Sequence, residues 1–372
     1  MTMDLPASEL ATTVKAMLGD DATPGTWTVE QVAYDSGSPA TGGLMRVRGR
    51  SDDGRDWAVF VKLVQHARHW PRLHLLPAEI RDAFAAGFPW RQELCLWEPS
   101  FAGRMPAGLR SPVLYRITDL GDDRLLLWME DIDAHDETCW NLGLYIRAAR
   151  ALGGLAALRS TPDLLASTGH PPGWALRMFA QGRVMQGAVP QLSDDRLWSH
   201  PMLANAVDAR LRDDLRRIAE ALPAFLDQLD TLPQTLAHGD ASPQNLLVPR
   251  NESDMLVAID VAFQCPLAVG FDLSQLLIGL AHAGHITVEQ LPAIHDRLVP
   301  AYVAGMRQHG VDADPEQVAY GYVGALTVRS ALTSLPYELL DCPPTDQLAA
   351  LLRQRATLTR FLADLVLDRI GR

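Results

Sequence analysis

The chain has 372 residues with a formal net charge of −12 at pH 7, and 48% of its residues are hydrophobic. This length exceeds one typical domain and predicts two lobes or domains, while the acidic balance argues against a nucleic-acid partner, which requires basic patches. The apolar runs are far shorter than a membrane span, and the N-terminus lacks the features of a signal peptide. We therefore expect a cytoplasmic protein with no membrane partner.

The first third of the chain carries the short apolar runs and turn signals that are typical of β-strands. A helix is predicted from Ser8 to Leu18, and an antiparallel meander of three strands follows it. Two further strands are predicted before residue 132. The five predicted strands are Trp27–Tyr34, Leu44–Arg48, Trp57–Val64, Val113–Ile117 and Arg124–Met129.

Beyond Ile132 the apolar residues recur at helical spacing. We interpret the segment from Ser160 to His200 as loop-rich and as a candidate substrate-specific insertion. The sequence thus predicts an α+β protein with two lobes, a small antiparallel-sheet N-lobe over residues 1–132 and a larger, mostly helical C-lobe over residues 133–372. The predicted helices of the second lobe include 142–155, 207–222, Leu273–His282, 315–334 and Thr345–Ile370.

Metal and disulfide patterns based on sulfur or histidine are weak. Cysteine occurs at four scattered positions without a Cys-x-x-Cys pair, which predicts reduced thiols. His282 and His285 lie three residues apart, but no nearby Cys or third His completes a zinc set. The four cysteines are Cys95, Cys139, Cys265 and Cys342.

The segment from His238 to Asp260 is the richest in chemistry. Two short apolar runs, 246–248 and 256–259, flank a polar loop and predict an antiparallel hairpin. Asn245 and Asp260 then fall opposite each other at the open end of the hairpin, and Asp240 lies on the loop that leads into it. Three oxygen-bearing side chains at one end of a rigid element suit a hard divalent cation such as Mg²⁺, with one acid left to orient an attacking hydroxyl.

This pattern resembles the aminoglycoside phosphotransferase-like family of small-molecule kinases, whose catalytic loop reads His-Gly-Asp-x-x-x-x-Asn. The resemblance implies a protein-kinase-like fold over nearly the whole chain. It also implies that Asp240 is the catalytic base or orienting acid, and that Asn245 and Asp260 bind Mg²⁺. His238 is expected to brace the loop. A valine, Val261, stands where the family often has tryptophan after the second Asp.

A nucleotide-binding half is expected in the first lobe. Lys62 is one of only two lysines in the chain, and it lies in the third predicted strand, where a kinase-like lobe carries the lysine that contacts the phosphates. Glu93 resembles the helix glutamate that pairs with this lysine, with Glu79 and Glu98 as alternatives. The segment from Asp35 to Gly43 occupies the place of the family's phosphate-covering loop, although an ordinary hairpin loop explains its glycines equally well.

Two further positions are interpreted through the resemblance. The segment from Leu125 to Ile132 resembles the family's hinge, which implies that the adenine pairs with backbone groups near Glu130 and Ile132. Trp128 and Met129 would line or back the adenine pocket. In the family an aspartate at the position of Asp272 supports the catalytic loop from below, but Asp272 with Gln275 also forms a capping-box-like pair, and we treat Asp272 as structural.

The sequence predicts an ATP- or GTP-dependent, Mg²⁺-dependent kinase of a small-molecule hydroxyl, and it leaves the acceptor and the oligomeric state open. An aminoglycoside or other antibiotic is one acceptor, and a sugar or amino-alcohol metabolite is another. A catalytically silent nucleotide-binding regulator and an unrelated helical binding protein are the alternatives from other classes. Candidate acceptor-binding residues are the acids Asp131, Asp133, Asp136, Glu137, Asp194 and Asp195 and the aromatic residues Trp140, Trp174 and Trp198.

Overall fold

The computed structural model describes residues 5–33 and 37–371. The strands are β1 Thr26–Gln31, β2 Thr41–Arg50, β3 Asp56–Gln65, β4 Leu109–Arg110, β5 Leu114–Gly121, β6 Arg124–Glu130, β7 Gln234–Thr235, β8 Leu246–Leu247, β9 Leu256–Ala258 and β10 Leu267–Ala268. The α-helices are α1 Ala7–Leu18, α2 Ala78–Gly87, α3 Pro99–Ala102, α4 Leu142–Leu158, α5 Pro162–Ser167, α6 Trp174–Phe179, α7 Val189–Gln191, α8 Asp195–Trp198, α9 Pro201–Ala204, α10 Leu211–Thr231, α11 Leu273–Ala283, α12 Leu291–Gln308, α13 Pro315–Leu326 and α14 Asp346–Ile370.

The chain divides into two compact units. The first unit comprises the described part of Met1–Ala102 together with Ser111–Ala134 and Pro249–Asn251. The second unit comprises Gly103–Arg110, His135–Val248 and the described part of Glu252–Arg372.

The first unit is built on a five-stranded antiparallel sheet. The strand order is β1-β2-β3-β6-β5. Strands β1 to β3 form the predicted meander, and the β5–β6 hairpin joins it through the pairing of β6 with β3. All five strands predicted from the sequence are present. The end of the first predicted strand, Tyr34, lies outside the described residues.

Alternation along β3 produces two apolar faces. Val59, Val61 and Leu63 point into a core that α1 covers with Leu10 and Val14. Since side chains alternate along a strand, the residues between them face the other way. On that second face Val64 is buried with Leu127 and Met129, and partly buried Phe60, Trp90, Leu94 and Trp97 pack against them.

The second unit is mostly helical around one extended core. Helix α10 is amphipathic and buries Leu211, Leu215, Ile218 and Leu222 at helical spacing. The segment from Ser160 to His200, predicted to be loop-rich, instead forms a series of short helices, α5 to α8, because its apolar residues pack into this core. No helix in the described part of the chain is long and apolar enough to cross a membrane.

Candidate functional site

The predicted catalytic loop is clamped between two other segments of the second unit. Gly239 has φ +86°, and a Cβ on it would lie 1.9 Å from the carbonyl oxygen of Ala262. The amide of Ala262 in turn donates a hydrogen bond to the His238 carbonyl, with a distance of 2.9 Å. Only glycine combines this positive φ with so close an approach of backbone, which explains the Gly in His-Gly-Asp.

Asp272 supports the loop from the start of α11. Its carboxylate is buried and accepts hydrogen bonds from the amides of His238, at 2.9 Å, and Gly239, at 2.8 Å. Burial raises the pKa of this carboxyl, and the two backbone donors act in the opposite direction. The predicted capping role is wrong, because Asp272 makes no side-chain hydrogen bond to the first turn of α11. The buried loop amides take both carboxylate oxygens instead.

Asp240 is held at both carboxylate oxygens. Arg329 donates from Nη2 to Oδ1 at 2.9 Å and from Nη1 to the Gly239 carbonyl at 2.7 Å. Asn245 donates from Nδ2 to Oδ2 at 3.1 Å and to the Asp240 carbonyl at 2.9 Å. The Arg329 guanidinium also lies 4.8 Å from the ring centroid of Phe263. These contacts fix the orientation of Asp240, which is what an acid that positions a hydroxyl requires.

Arg329 was not predicted from the sequence, and it is 89 residues from its partner Asp240. It lies in a π-helical stretch, Thr327–Ala331, that continues α13. The helix predicted over 315–334 therefore covers Arg329, but no motif or spacing connects that helix to the catalytic loop.

The predicted hairpin is present, with a register one residue away from the expectation. Leu246 pairs with Ala258, and the Ile259 amide donates to the Asn245 carbonyl at 3.0 Å. Asn245 therefore lies opposite Ile259, and Asp260 follows just beyond with φ +54°. Aspartate is one of the few side chains that tolerate this left-handed conformation. The hydrogen bonds of Ile259 and Ala262 tie the Asp260 segment to the loop of Asp240 on both sides.

His238 braces this arrangement and stays neutral. The residue is 1% exposed, and burial lowers its pKa. Its Nδ1 accepts a hydrogen bond from the Asp240 amide at 3.3 Å, which assigns the ring proton to Nε2. A buried neutral ring next to the loop backbone is consistent with a structural part in the site.

The side-chain oxygens of Asn245 and Asp260 fit a hard cation that takes its other ligands from water and substrate phosphates. With Asn245 Nδ2 donating to Asp240, the amide oxygen of Asn245 is the atom suited to a metal. Among the described residues no group of three or more His, Cys, Asp or Glu side chains is arranged to hold a metal ion. Asn245 and Asp260 would therefore supply only part of a coordination shell. Mg²⁺ commonly completes such a shell with water and substrate phosphates.

A cavity of 370 Å³ opens beside Asp240 in the second unit. The catalytic loop approaches α11 closely there, since a Cβ on Gly279 would lie 2.8 Å from Pro243. A larger cavity of 680 Å³ shares Arg183 and Thr333 with it and includes Asp194, one of the candidate acceptor-binding acids, but it contains none of the predicted catalytic, nucleotide-binding or metal-binding residues. The smaller cavity is therefore the candidate acceptor site. Its remaining lining is polar for the most part, with Ser242, Gln244, Gln275, His282, Ser330 and Ser334.

In the first unit, Lys62 and Glu93 form an ion pair. Lys62 Nζ lies 2.6 Å from Glu93 Oε2, and the side chains are 8% and 12% exposed. Lys62 shares the second face of β3 with Phe60 and Val64, and Glu93 lies in the 3₁₀ helix Gln92–Trp97 that packs on this face. The two alternative glutamates, Glu79 and Glu98, are exposed.

The hinge-like segment ends β6. The Glu130 amide donates to the Val113 carbonyl at 2.8 Å, and its carboxylate accepts from the Val113 amide at 3.0 Å. The amide and the carboxylate of Glu130 are therefore both engaged with Val113. Ile132 is half-buried two residues beyond the strand. Trp128 and Met129 are buried on opposite faces of the sheet.

The glycine-containing connection between β1 and β2 lies partly outside the described residues, which exclude Asp35 and Ser36. Gly42 and Gly43 belong to β2 itself, at an irregularity in its pairing with β3. The phosphate-covering role of this segment remains a prediction.

The acidic candidates for acceptor binding are nearly all engaged elsewhere. Asp131 is paired with Arg46, at 2.7 Å, and Arg48, at 3.5 Å. Asp136 and Asp194 cap short helices, and Asp133 and Asp195 pair with arginines. None of the six acids lines the cavity at Asp240. Among the aromatic candidates, Trp140 and Trp198 are core residues, and Trp174 stacks on His170 with 4.1 Å between ring centroids.

Comparison with known proteins identifies the fold. The chain is similar to the microcompartment-associated aminopropanol kinase, with 15% identity, a TM-score of 0.55 and coverage of 98% of this chain and 99% of that one. It is also similar to an aminoglycoside phosphotransferase from Alicyclobacillus acidocaldarius, with 14% identity, a TM-score of 0.52 and coverage of 100% and 96%. No family model and no curated sequence matches the chain. The predicted kinase-like α+β fold is confirmed.

Proposed function

We propose that the protein is an ATP- or GTP-dependent, Mg²⁺-dependent O-phosphotransferase that acts on a hydroxyl group of a small molecule. The observation that carries the proposal is the buried Lys62–Glu93 ion pair on the third strand of a kinase-like sheet. In kinases this pair positions the lysine on the nucleotide phosphates. The two solved structures of similar fold are named for kinases of an amino alcohol and of aminoglycosides, which supports the same reaction class.

The residues take the following parts. Lys62, held by Glu93, binds nucleotide phosphates, and backbone groups near Glu130 and Ile132 bind the base. Asp240, oriented by Arg329 and Asn245, accepts a hydrogen bond from the acceptor hydroxyl and takes its proton as the hydroxyl attacks.

Asn245 and Asp260 would hold the metal, which when bound neutralises phosphate charge. The hydroxyl of the acceptor enters the cavity beside Asp240. The protein is expected to work in the cytoplasm.

The first experiment is a thermal shift of the purified protein with ATP or GTP, with and without Mg²⁺. Ligand at 100 times its dissociation constant stabilises a protein by about 2.7 kcal/mol. A stabilisation that requires Mg²⁺ supports the nucleotide site. Folded protein that responds to neither nucleotide would contradict the proposal.

The second experiment tests the reaction through Asp240→Asn. This variant should lose about 10²–10⁴-fold in turnover, measured as acceptor-dependent ADP release, because it lacks the base. Its nucleotide-induced thermal shift should be retained. Asp254→Asn is the matched control, since Asp254 is a fully exposed acid on the turn of the same hairpin. Near-normal turnover by Asp240→Asn would remove the assigned role and favour the silent regulator.

A further inference from the structure

The cavity beside Asp240 carries an excess of positive charge. Its ionisable lining residues are Asp240, Arg183, Arg329 and His282. Burial and the charge of Arg355 lower the pKa of His282 to about 4, so that its ring is neutral at pH 7. Arg329 and Asp240 compensate each other as an ion pair. Arg183 is left as the unpaired charge of this cavity, and the acids Asp194, Glu338 and Asp341 lie in the adjoining larger cavity, which Arg183 also lines.

Arg183 is placed to meet a ligand. Its side chain is exposed at the cavity, and it makes no ion pair with any residue in the described ranges 5–33 and 37–371. Arg329 retains donors as well, because a guanidinium has five N–H groups and its contacts to Asp240 and Gly239 use two of them. Two arginines on one cavity offer the planar donor pattern that suits carboxylate and phosphate groups.

Both arginines lie on π-helical segments. Arg183 belongs to the stretch Ala180–Ala188 and Arg329 to the stretch Thr327–Ala331. π-helical turns are rare and occur frequently at functional sites, since the extra residue re-aims side chains within a helix. The convergence of two such segments on the cavity next to the catalytic acid distinguishes these arginines from the many others on the surface.

The cavity beside Asp240 has no unpaired acidic residue, within the described part of the chain, that could bind a polycationic acceptor. Asp240 is its one acidic lining residue in the described part of the chain, and Arg329 already neutralises that acid. The net charge of −12 would attract cations to the protein as a whole, but at physiological ionic strength such attraction is screened beyond about 8 Å. Contacts inside the cavity therefore decide which acceptor charge is accepted.

We propose that the acceptor carries a negatively charged group, a carboxylate or a phosphate ester, that Arg183 binds while the acceptor hydroxyl meets Asp240. This inference rests on the proposed kinase function and names its substrate class. The hydroxyl and amide groups of Ser242, Gln244 and Gln275 are then suited to the remaining hydroxyls of a small polar acceptor.

The test measures ADP release from Mg²⁺-ATP with acceptors in pairs of similar structure, in which one member carries a carboxylate or phosphate group and the other lacks it. The pairs are glycerate and glycerol, gluconate and glucose, homoserine and 3-amino-1-propanol, and glucose 6-phosphate and glucose, with streptomycin as a polycation. The phosphate pair separates a phosphate-ester preference from a carboxylate preference. We expect the member with the carboxylate or phosphate group to exceed its counterpart without that group by at least about tenfold in kcat/KM, which corresponds to about 1.4 kcal/mol.

The variant Arg183→Gln should raise the KM for the anionic acceptor about tenfold and leave kcat nearly unchanged. Arg183→Lys should restore part of the affinity because it keeps the charge. Arg353→Gln is the matched control, since Arg353 is an exposed arginine that does not line this cavity. A split between KM and kcat that follows the charge at position 183 is not expected from a merely structural role.

A binding measurement makes the test independent of turnover. Protein saturated with Mg²⁺-ADP is heated with each anionic probe, and a stabilisation that Arg183→Gln abolishes supports the inference. Preference for uncharged or cationic acceptors overturns it, as does a failure of every anionic probe to stabilise the Mg²⁺-ADP complex. The failure of the proposed function is distinguishable, because it appears earlier as the absence of any response to Mg²⁺-nucleotide.

Discussion

Replacing Gly239 with alanine places a methyl group where the backbone of Ala262 already lies. The new Cβ would stand 1.9 Å from the Ala262 carbonyl oxygen, far inside contact distance, at a residue with φ +86°. The left-handed conformation costs a non-glycine residue about 1–2 kcal/mol. Relieving the overlap by a backbone shift costs about 1–3 kcal/mol more. We expect Gly239→Ala to lower the free energy of unfolding of the second unit by about 2–5 kcal/mol.

The shift should also damage the site. The Gly239 amide donates to Asp272 and its carbonyl accepts from Arg329, so moving this residue disturbs both supports of Asp240. Misplacement of a reacting group by about 1 Å can cost about 10²-fold in rate. The assay is urea unfolding followed by circular dichroism, together with acceptor-dependent ADP release.

The matched control is Gly310→Ala. Gly310 has a similar φ of +80°, but a Cβ built on it meets no atom within 4 Å. This variant therefore reports the conformational cost alone, about 1–2 kcal/mol, and should keep full activity. The difference between the two variants measures the close approach of Ala262. Equal losses of stability, or an active Gly239→Ala protein, would refute the reasoning.

Two further predictions concern the first unit. Glu93→Gln should raise the KM for ATP about tenfold because it removes the charge that holds Lys62. The double variant with Lys62→Ala should have the same KM for ATP as Lys62→Ala alone. Additive effects on KM in this double-mutant cycle would show that the pair is not coupled. Hydrogen bonds from Arg116 and Thr118 lower the pKa of Glu9 below its ordinary 4.5, so its stabilising contribution is present above that pH and is lost as the pH falls below it. Glu9→Gln should therefore lower the melting temperature at pH 7 and lower it progressively less as the pH falls below 4.5. A pH-independent difference would contradict this sign.

The predicted elements were largely right because they depend on periodicity within a few residues. Apolar residues two apart in β3 and at helical spacing in α10 are sufficient to place one face of each element inside. The hairpin of β8 and β9 is likewise local. Its register was wrong by one residue, since Leu246 pairs with Ala258 and Asn245 therefore lies opposite Ile259 instead of Asp260.

The errors and omissions share one physical cause, which is competition from distant groups. Asp272 was expected both to cap its own helix and, through the resemblance, to support the catalytic loop. Only the second role is seen, because the amides of a loop more than 30 residues away occupy its carboxylate. Glu93 was the preferred of three candidate partners for Lys62 and does form the ion pair, but the sequence left Glu79 and Glu98 open because the choice depends on how a 3₁₀ helix packs against the sheet. The sequence near a polar residue suggests only partners that are close along the chain. In the folded protein a buried carboxylate such as that of Asp272 instead accepts hydrogen bonds from buried amides that would otherwise be unsatisfied.

The sequence by itself determined the order of strands and helices, the loop of Asp240 and Asn245, and the lysine of the third strand, because each of these is written in residues that are near neighbours along the chain. Only the tertiary structure decided what surrounds Asp240. Arg183 and Arg329 reach one cavity from segments far apart in sequence, through two π-helical turns. The charge of an acceptor site is a sum over side chains that packing brings together, and no spacing along the chain encodes that sum.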